Sequence, residues 1–331
     1  MQKFIIKCSF FLVVILLFLN DSFLPVDTYT YRPWEALRYS TNPHAYFYPN
    51  QELTSTSVGD LCYYTQFAVK KNENWKTDKL GYRNDFFVRK ANVLLIGDSY
   101  VAGSSLPQDS TLTNMLHSEL NVPIYNMAPA SFSDFLYQLH KKVIEKPQTI
   151  IFSKVEVVIP RALEVLHDDQ ESHQATIWRD RLSRNYLKLF LKARLNDSHG
   201  NGIRGQSDSS MFFLHGTKIK CPNDQIDKIA QRIISYKETC DSMGINFIFL
   251  PMPTKESVYF DKIPLKRQPD FLFNLCDILS NKGVQTINTL EVFNEYRKSN
   301  EQLIYHLDDT HWNRFGVELI SSEISKRILA H

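Results

Sequence analysis

Short apolar runs alternate with helical patterns from about residue 90 onward, and this alternation most constrains the fold. Residues 93–96 (Val-Leu-Leu-Ile) form a continuous apolar run that ends at Gly97, which is typical of a strand buried on both faces. Further strands are predicted at residues 122–125, 149–152, 246–250 and 284–287, and helical patterns lie at residues 112–120, 132–144, 226–243, 269–279 and 315–328. Repeated strand–helix–strand units predict an α/β fold with a parallel sheet between helices.

The alternation is interrupted between Arg161 and about Asn223. This stretch contains a charged segment at residues 178–195, predicted to be helical, and a segment rich in Gly, Ser, Asn and Asp at residues 196–210. A gap of this length inside a compact sheet predicts an insertion over about residues 160–225, which could serve as a lid or a partner surface. His167, Asp168, Asp169 and His173 are ligand-type residues here, and we interpret them as a solvated loop.

The N-terminus predicts a membrane-targeting segment over residues 1–22. Lys3 and Lys7 accompany an apolar run at residues 10–19, and no good cleavage site follows it. We expect an uncleaved signal anchor, with a cleaved signal peptide as the alternative, and the remaining chain on the extracytoplasmic side. Residues 23–74 show no sustained period and predict an extended lead-in. The catalytic domain is then expected over residues 75–331.

Charge and cysteine content exclude some classes of function. The chain has 38 basic and 36 acidic residues, a balance that does not support nucleic-acid binding. In an oxidising compartment up to two disulfides are expected among four cysteines: Cys62, Cys221, Cys240 and Cys276. No C-x-x-C pair occurs, so we expect no structural zinc, and we expect no other cofactor.

A serine follows the first buried strand in the tripeptide Gly97-Asp98-Ser99. In open parallel sheets, functional groups collect at the carboxyl ends of the strands. Glycine permits a tight turn there, and a serine at this place exposes its hydroxyl and offers its backbone N–H to an oxyanion. Ser99 is therefore a candidate nucleophile.

A histidine with two preceding aspartates lies near the other end of the chain, in Asp308-Asp309-Thr310-His311. Asn313 is a predicted N-cap of the last helix, which places His311 on the loop that leads into that helix. A serine hydroxyl needs a base to take its proton, and the base needs a carboxylate to orient it. Either aspartate has a suitable spacing for that role.

These residues resemble the SGNH/GDSL hydrolase superfamily. Residues 75–84, residues 250–255 with Tyr259, and residues 309–313 are similar to its alginate O-acetyltransferase branch, the extracellular SGNH acyltransferases. The resemblance covers roughly residues 75–330, apart from the insertion. It implies a three-layer α/β/α, flavodoxin-like fold with Ser99 as nucleophile, His311 as base and Asp309 as the orienting carboxylate, with Asp308 as the alternative.

The oxyanion hole departs from the superfamily pattern. The second block, residues 125–130, contains no glycine, and the third strand ends at residues 153–156 without the usual asparagine. A backbone N–H of Ala128 or Ala130 is expected to donate instead, since Pro129 has none. The Asn126 side chain is a further candidate donor. Lys255 is a candidate for binding an anionic sugar.

The resemblance implies an O-acyltransferase that passes an acetyl group through Ser99 to an extracytoplasmic glycan. It also suggests a multi-pass membrane acyltransferase as the donor partner. The sequence is also compatible with two alternatives. One is a carbohydrate O-acetyl esterase of the same fold, and the other is a non-catalytic glycan-binding or assembly protein.

Overall fold

The computed structural model describes residues 2–23, 32, 34, 37, 46–63, 65–162, 202–214 and 223–330. Three expectations fall outside these residues: the predicted helix at 178–195, the loop with His167 to His173, and Cys221. In chain order, the described elements are α1 (Gln2–Phe23), β1 (Glu52–Ser57), β2 (Lys71–Lys76), β3 (Val93–Ile96), α2 (Ser99–Ala102), α3 (Leu112–Leu120), β4 (Ile124–Asn126), α4 (Phe132–His140), β5 (Thr149–Val155), α5 (Ile159–Ala162), β6 (Gly202–Arg204), β7 (Phe212–Leu214), α6 (Asn223–Ser242), β8 (Asn246–Met252), α7 (Lys255–Val258), α8 (Phe271–Asn281), β9 (Gln285–Thr286), α9 (Thr289–Arg297) and α10 (Arg314–Leu329).

The central sheet has five parallel strands in the order β4-β3-β5-β8-β9. This is the flavodoxin-like strand order, and it confirms the predicted α/β class. The three inner strands are buried almost throughout, as their continuous apolar sequences require. Helices α3 and α10 pack together, and α6 packs on β8 and α8, so the sheet supports helices that shield it from water.

The predicted elements of the sheet domain are all present, with small differences at their ends. The largest of these differences is in the helix predicted over residues 132–144, which ends at His140 in the structure. Lys142 has φ 57°, a left-handed conformation that a continuing α-helix does not contain, and its N–H donates to Leu139 O at 3.0 Å. The last strand is only Gln285–Thr286, shorter than predicted.

The lead-in contains regular structure that its sequence did not predict. Strands β1 and β2 form an antiparallel hairpin in which Glu52 pairs with Lys76. Trp75 is fully buried and stacks on Trp34 with 4.9 Å between ring centroids, and Phe47 packs edge-on against both. The guanidinium of Arg83 lies 3.8 Å from the Trp75 ring, which joins this small core to the sheet domain.

The described part of the predicted insertion contains a hairpin, β6–β7, which the sequence analysis did not predict. Backbone hydrogen bonds join it to both neighbouring segments. Gly202 N donates to Leu61 O at 2.8 Å, and Phe212 N donates to Leu307 O at 2.9 Å. The hairpin therefore packs between the lead-in and the loop that carries His311.

Helix α1 forms over residues 2–23, and its large apolar side chains between Phe4 and Ile15 are exposed. Within the residues that the structure describes, no helix reaches the length and hydrophobicity needed to cross a membrane. The predicted signal anchor is therefore not confirmed.

The predicted disulfides are absent among the described cysteines. Cys62, Cys240 and Cys276 are free and buried. Burial raises the pKa of the Cys240 thiol to about 12 and that of the Cys276 thiol to about 12, which keeps both thiols protonated and unreactive at neutral pH.

Candidate active site

The Gly97-Asp98-Ser99 turn joins β3 to α2 at the carboxyl edge of the sheet. The Asp98 carboxylate accepts from Tyr100 N at 3.1 Å, which caps α2, and from Val155 N at 2.7 Å, which ties the turn to β5. A Cβ on Gly97 would lie 2.5 Å from a methyl group of Val101, so only glycine fits the close approach of α2 to the strand. Ser99 is thus held at the first position of α2.

The loop before α10 brings His311 to Ser99 across 212 residues of sequence. The Asn313 side chain accepts from Gly316 N at 3.0 Å, which confirms the predicted N-cap. His311 Nε2 lies 2.8 Å from Ser99 Oγ. The His311 ring also packs against Tyr100, with 4.8 Å between centroids. The structure therefore brings the predicted nucleophile and base into direct contact.

Asp309 is the carboxylate that contacts the histidine. Its Oδ1 accepts from His311 Nδ1 at 2.6 Å and from His311 N at 2.9 Å. Burial alone would raise the pKa of Asp309, but the adjacent His311 ring holds it well below its usual range, helped by the charges of Arg32 and Lys71. Because an ionised carboxylate only accepts, Nδ1 carries the ring proton and the Nε2 lone pair faces Ser99.

The carboxylate of Asp308, the alternative orienting residue, binds the lead-in, whereas Asp309 binds His311 Nδ1. Asp308 Oδ2 accepts from Gly59 N at 2.8 Å and from Val69 N at 2.9 Å, and its Oδ1 accepts from Lys71 Nζ at 2.8 Å. Both charged side chains are almost fully buried. A Cβ on Gly59 would lie 1.9 Å from Asp308 O, so the lead-in approaches this loop as closely as backbones allow. Asp308 therefore binds the lead-in to the loop that carries His311.

Asp60 is a site residue that the sequence did not indicate. Its N–H donates to Asp309 Oδ2 at 3.2 Å, and its carboxylate accepts from Thr310 N at 2.9 Å and Thr310 Oγ1 at 2.8 Å. The Arg32 guanidinium pairs with the same carboxylate at 2.6 Å. The lead-in therefore contacts each residue from Asp308 to Thr310. A lone Asp after a glycine, 250 positions from its partner, gives no recognisable sequence signal.

Ser105 was also missed. Its hydroxyl donates to Asp309 Oδ2 at 2.8 Å, and its backbone has φ 67°, a conformation uncommon outside glycine. Such strain persists only where surrounding contacts impose it, and it clusters at functional sites. Arg83, fully buried, helps to impose it by donating to Ala102 O at 3.1 Å and to Leu106 O at 2.8 Å on either side of Ser105.

The expected oxyanion donors of the second block are already engaged. Ala128 N donates to Asn126 Oδ1 at 2.7 Å, and Ala130 N donates to Gly97 O at 3.0 Å. The Asn126 side chain is fully buried and donates to Val101 O at 3.2 Å. The groups predicted to bind the oxyanion at Ala128, Ala130 and Asn126 are therefore hydrogen-bonded within the protein in this structure, where they hold the second block together and join it to the Ser99 turn.

Lys255 is not available to a substrate either. The residue is fully buried, and its Nζ donates to His306 O at 2.5 Å, Leu307 O at 2.8 Å and Asp309 O at 3.3 Å. Burial lowers its pKa to about 8. The expected role in binding an anionic sugar is corrected to a structural one, since the ammonium group donates hydrogen bonds to three carbonyls of the loop that carries His311.

Glu156 fixes the segment that carries Lys255. Fully buried at the end of β5, its Oε2 accepts from Ser257 Oγ at 2.6 Å and from Thr254 N at 3.1 Å. Burial raises the pKa of Glu156 to about 7, although these hydrogen bonds act in the opposite direction. The native protein therefore holds a carboxyl group that titrates near neutral pH.

We expect Glu156→Gln to remove a pH-dependent loss of stability. The pKa of Glu156 is 4.5 in the unfolded chain and about 7 in the folded chain. Between these pH values the folded chain binds more protons than the unfolded chain, so the free energy of unfolding falls as the pH rises. The fall amounts to about 3 kcal/mol. Urea unfolding is measured at pH 5 and pH 8. Between these pH values the free energy of unfolding of Glu156→Gln should rise relative to that of the parent chain. The free energy of unfolding of Glu119→Gln, a change at an exposed position, should stay constant relative to the parent. Parallel pH dependences for Glu156→Gln and the parent would contradict the assignment.

Asp60, Asp309 and His311 also form a group whose potential ligand atoms lie within 4.8 Å of one another. These atoms are committed to other bonds: His311 Nδ1 donates to Asp309, and Asp60 accepts from Thr310 and Arg32. The donor set fits a hydrogen-bonded catalytic arrangement, and we assign no metal to it.

The chain resembles several known proteins. Residues 211–331 match the family model described as SGNH hydrolase-like domain, acetyltransferase AlgX. Among solved structures, a lipase/acylhydrolase from Enterococcus faecalis is 14% identical with a TM-score of 0.40, over 73% of this chain and 95% of that one. Axe2, an acetylxylan esterase from Geobacillus stearothermophilus, is 13% identical with a TM-score of 0.38, over 72% and 94% respectively. The chain matches no curated protein at a significant level.

The AlgX-type match includes the loop with Asp309 and His311 and the segment with Lys255. The structural similarities are too weak to bear on the activity of this chain. The resemblance to the SGNH/GDSL hydrolase superfamily and to its alginate O-acetyltransferase branch, predicted from the sequence, is confirmed by this family match.

Proposed function

We propose that the chain is a serine-dependent O-acyltransferase that passes an acetyl group to a hydroxyl of an extracytoplasmic glycan. One observation carries the proposal: Ser99 Oγ lies 2.8 Å from His311 Nε2, while His311 Nδ1 lies 2.6 Å from Asp309. These distances suit proton transfer from a serine to a histidine oriented by a buried carboxylate. The AlgX-type match over residues 211–331 supports acetyl as the transferred group.

In the first half of the proposed reaction, Ser99 Oγ attacks the carbonyl carbon of an acyl ester. Its proton passes to His311 Nε2, and the carbonyl π electrons move onto oxygen. The Asp309 carboxylate stabilises the imidazolium that forms. The tetrahedral intermediate then expels the alkoxide, which takes the proton from Nε2, and an acetyl-Ser99 ester remains.

In the second half, an acceptor hydroxyl gives its proton to His311 Nε2 and attacks acetyl-Ser99. Collapse of this intermediate restores the Ser99 hydroxyl with the same proton and releases an acetylated product. The Ser99 N–H has no acceptor among the described residues and is therefore free to donate to the oxyanion in both halves. Water in place of the glycan hydroxyl would make the same site an esterase.

The cellular setting is part of the proposal. Lys3 and Lys7 together with the exposed apolar residues of α1 support anchoring at a cytoplasmic membrane, with the catalytic domain on the extracytoplasmic side. An acyl donor is needed on that side, and a multi-pass membrane acyltransferase would supply it. Retention of the full chain in washed membranes, and its release when residues 1–22 are deleted, would test the anchoring.

The nucleophile is tested with a fluorophosphonate probe on the full chain in mild detergent. We expect one adduct, located on Ser99 by mass spectrometry, and none on Ser99→Ala. Ser118→Ala, at an exposed serine, serves as the matched control and should label normally. A folded parent chain that does not react at Ser99 would remove the proposed function.

Transfer is distinguished from hydrolysis with the same protein and an acetyl ester donor. With an acceptor oligosaccharide present, we expect acetylated oligosaccharide to accumulate faster than free acetate. If free acetate is the sole product at every acceptor concentration, the chain is an esterase and the acyltransfer proposal is wrong.

A further inference from the structure

The proposed chemistry lacks a second donor to the oxyanion. The Ser99 N–H is available, but the second-block amides and the Asn126 side chain are engaged elsewhere. A single backbone donor is a weak oxyanion site, because removal of one donor from such a site typically costs about 100-fold or more in rate. A further positive or donating group near Ser99 is therefore needed for efficient acyl transfer.

Lys154 is a buried lysine that has no role in the two half-reactions described above. It belongs to β5 and is only 9% exposed. Within the described residues its Nζ makes one long hydrogen bond, of 3.4 Å to Ala130 O, lies 5.8 Å from the centroid of the Phe152 ring, and has no carboxylate paired with it. Buried ammonium groups are ordinarily paired and fully hydrogen-bonded, because loss of hydration is costly. Lys154 is thus an exception that needs an explanation.

The position of Lys154 beside the Ser99 turn is fixed from both sides. The next residue, Val155, donates its N–H to Asp98 at 2.7 Å, and the carbonyl of the preceding residue, Ser153, lies 3.2 Å from where a Cβ on Gly97 would stand. Ala130, which accepts from the Lys154 ammonium, donates its own N–H to Gly97 O at 3.0 Å. The strand at Lys154 therefore lies against the turn that presents Ser99, and the ammonium group contacts Ala130, which is itself bonded to that turn.

We propose that Lys154 is a catalytic residue whose ammonium group donates to the oxyanion formed during acylation and deacylation of Ser99. This inference rests on the proposed function. When the carbonyl oxygen becomes negative, the ammonium gains an anionic partner, which none of the described residues supplies in the resting protein. The interaction is stronger in the transition state than in the ground state, and this difference is what accelerates a reaction.

The proposal predicts opposite effects on rate and stability. Lys154→Met keeps an unbranched side chain of similar length and removes the charge. We expect its second-order rate constant for fluorophosphonate labelling of Ser99 to fall about 100-fold. Its melting temperature should equal or exceed that of the parent, since a poorly paired buried charge is removed. Lys154→Gln, which retains a neutral N–H donor, should lose less activity than Lys154→Met.

The experiment uses the full chain in mild detergent, with Lys282→Met at an exposed lysine as the control. In the labelling reaction, Ser99 Oγ bonds to phosphorus, fluoride leaves, and the Ser99 proton passes to His311, while the phosphoryl oxygen takes the place of the oxyanion.

A labelling rate of Lys154→Met within about 3-fold of the parent rate overturns the proposal, since loss of an oxyanion donor lowers the rate far more. A rate loss accompanied by a lowered melting temperature also overturns it, since that pattern indicates a structural role. Failure of the parent chain to label at Ser99 removes the proposed function itself, so the two failures are distinguishable.

Discussion

Asp309→Asn is expected to lower the rate of Ser99 acylation ~10⁴-fold. The amide introduced by this substitution would donate toward His311 Nδ1 instead of accepting from it, so the ring proton would move to Nε2, the atom that must take the Ser99 proton. The charge that stabilises the imidazolium would be lost as well. Fluorophosphonate labelling of Ser99 measures the effect directly.

The matched control is Asp308→Asn, one residue away. Asp308 is 1% exposed and pairs with Lys71, so this variant should lose about 3 kcal/mol of unfolding free energy while labelling within about 10-fold of the parent rate. Stability is measured by urea unfolding. A greater rate loss for Asp308→Asn than for Asp309→Asn would show that the orienting carboxylate had been assigned to the wrong residue.

The second large effect concerns the lead-in. A chain beginning at residue 75, the domain boundary expected from the sequence, should not label at Ser99. It lacks the donors from Gly59, Val69 and Lys71 that satisfy the buried Asp308 carboxylate, and it lacks the Asp60 contacts to Asp309 and Thr310. A buried carboxylate without partners destabilises the loop that holds His311.

A chain beginning at residue 31 provides the comparison. It retains Arg32, Trp34 and the hairpin, and we expect it to label at a rate near that of the full chain. Within the full chain, Lys71→Met should lower stability, while Lys70→Met, at the exposed neighbour, should have little effect. Normal labelling by the chain that begins at residue 75 would contradict the assignment of the lead-in to the active site.

The sheet and the nucleophile–base pair were predictable because each has a local signal. Apolar runs such as residues 93–96 mark strands buried on both faces, and their alternation with helical patterns implies parallel neighbours. Parallel strands end at one edge of a sheet, so a serine directly after β3 is expected at the functional edge. The N-cap at Asn313 placed His311 on a loop, and the structure brings that loop to Ser99.

The oxyanion donors were not predictable in this way. Ala128 was a reasonable candidate from its place in the chain, but whether an N–H is free depends on which acceptor folds next to it. Here that acceptor is the Asn126 side chain, two residues away, held in place by its own bonds to the α2 turn. The same reasoning applies to Lys255, whose charge suggested a ligand and whose surroundings are three backbone carbonyls.

The α/β sheet, the Ser99 turn and the loop that presents His311 could therefore be read from the chain, because strand burial and capping depend on residues that are neighbours in sequence. Only the tertiary structure chose between Asp308 and Asp309 and made Asp60, Lys71 and Ser105 part of the site. These contacts join residues 249, 237 and 204 positions apart and leave no period or spacing in the chain. They form because a buried carboxylate must find donors wherever the fold brings them.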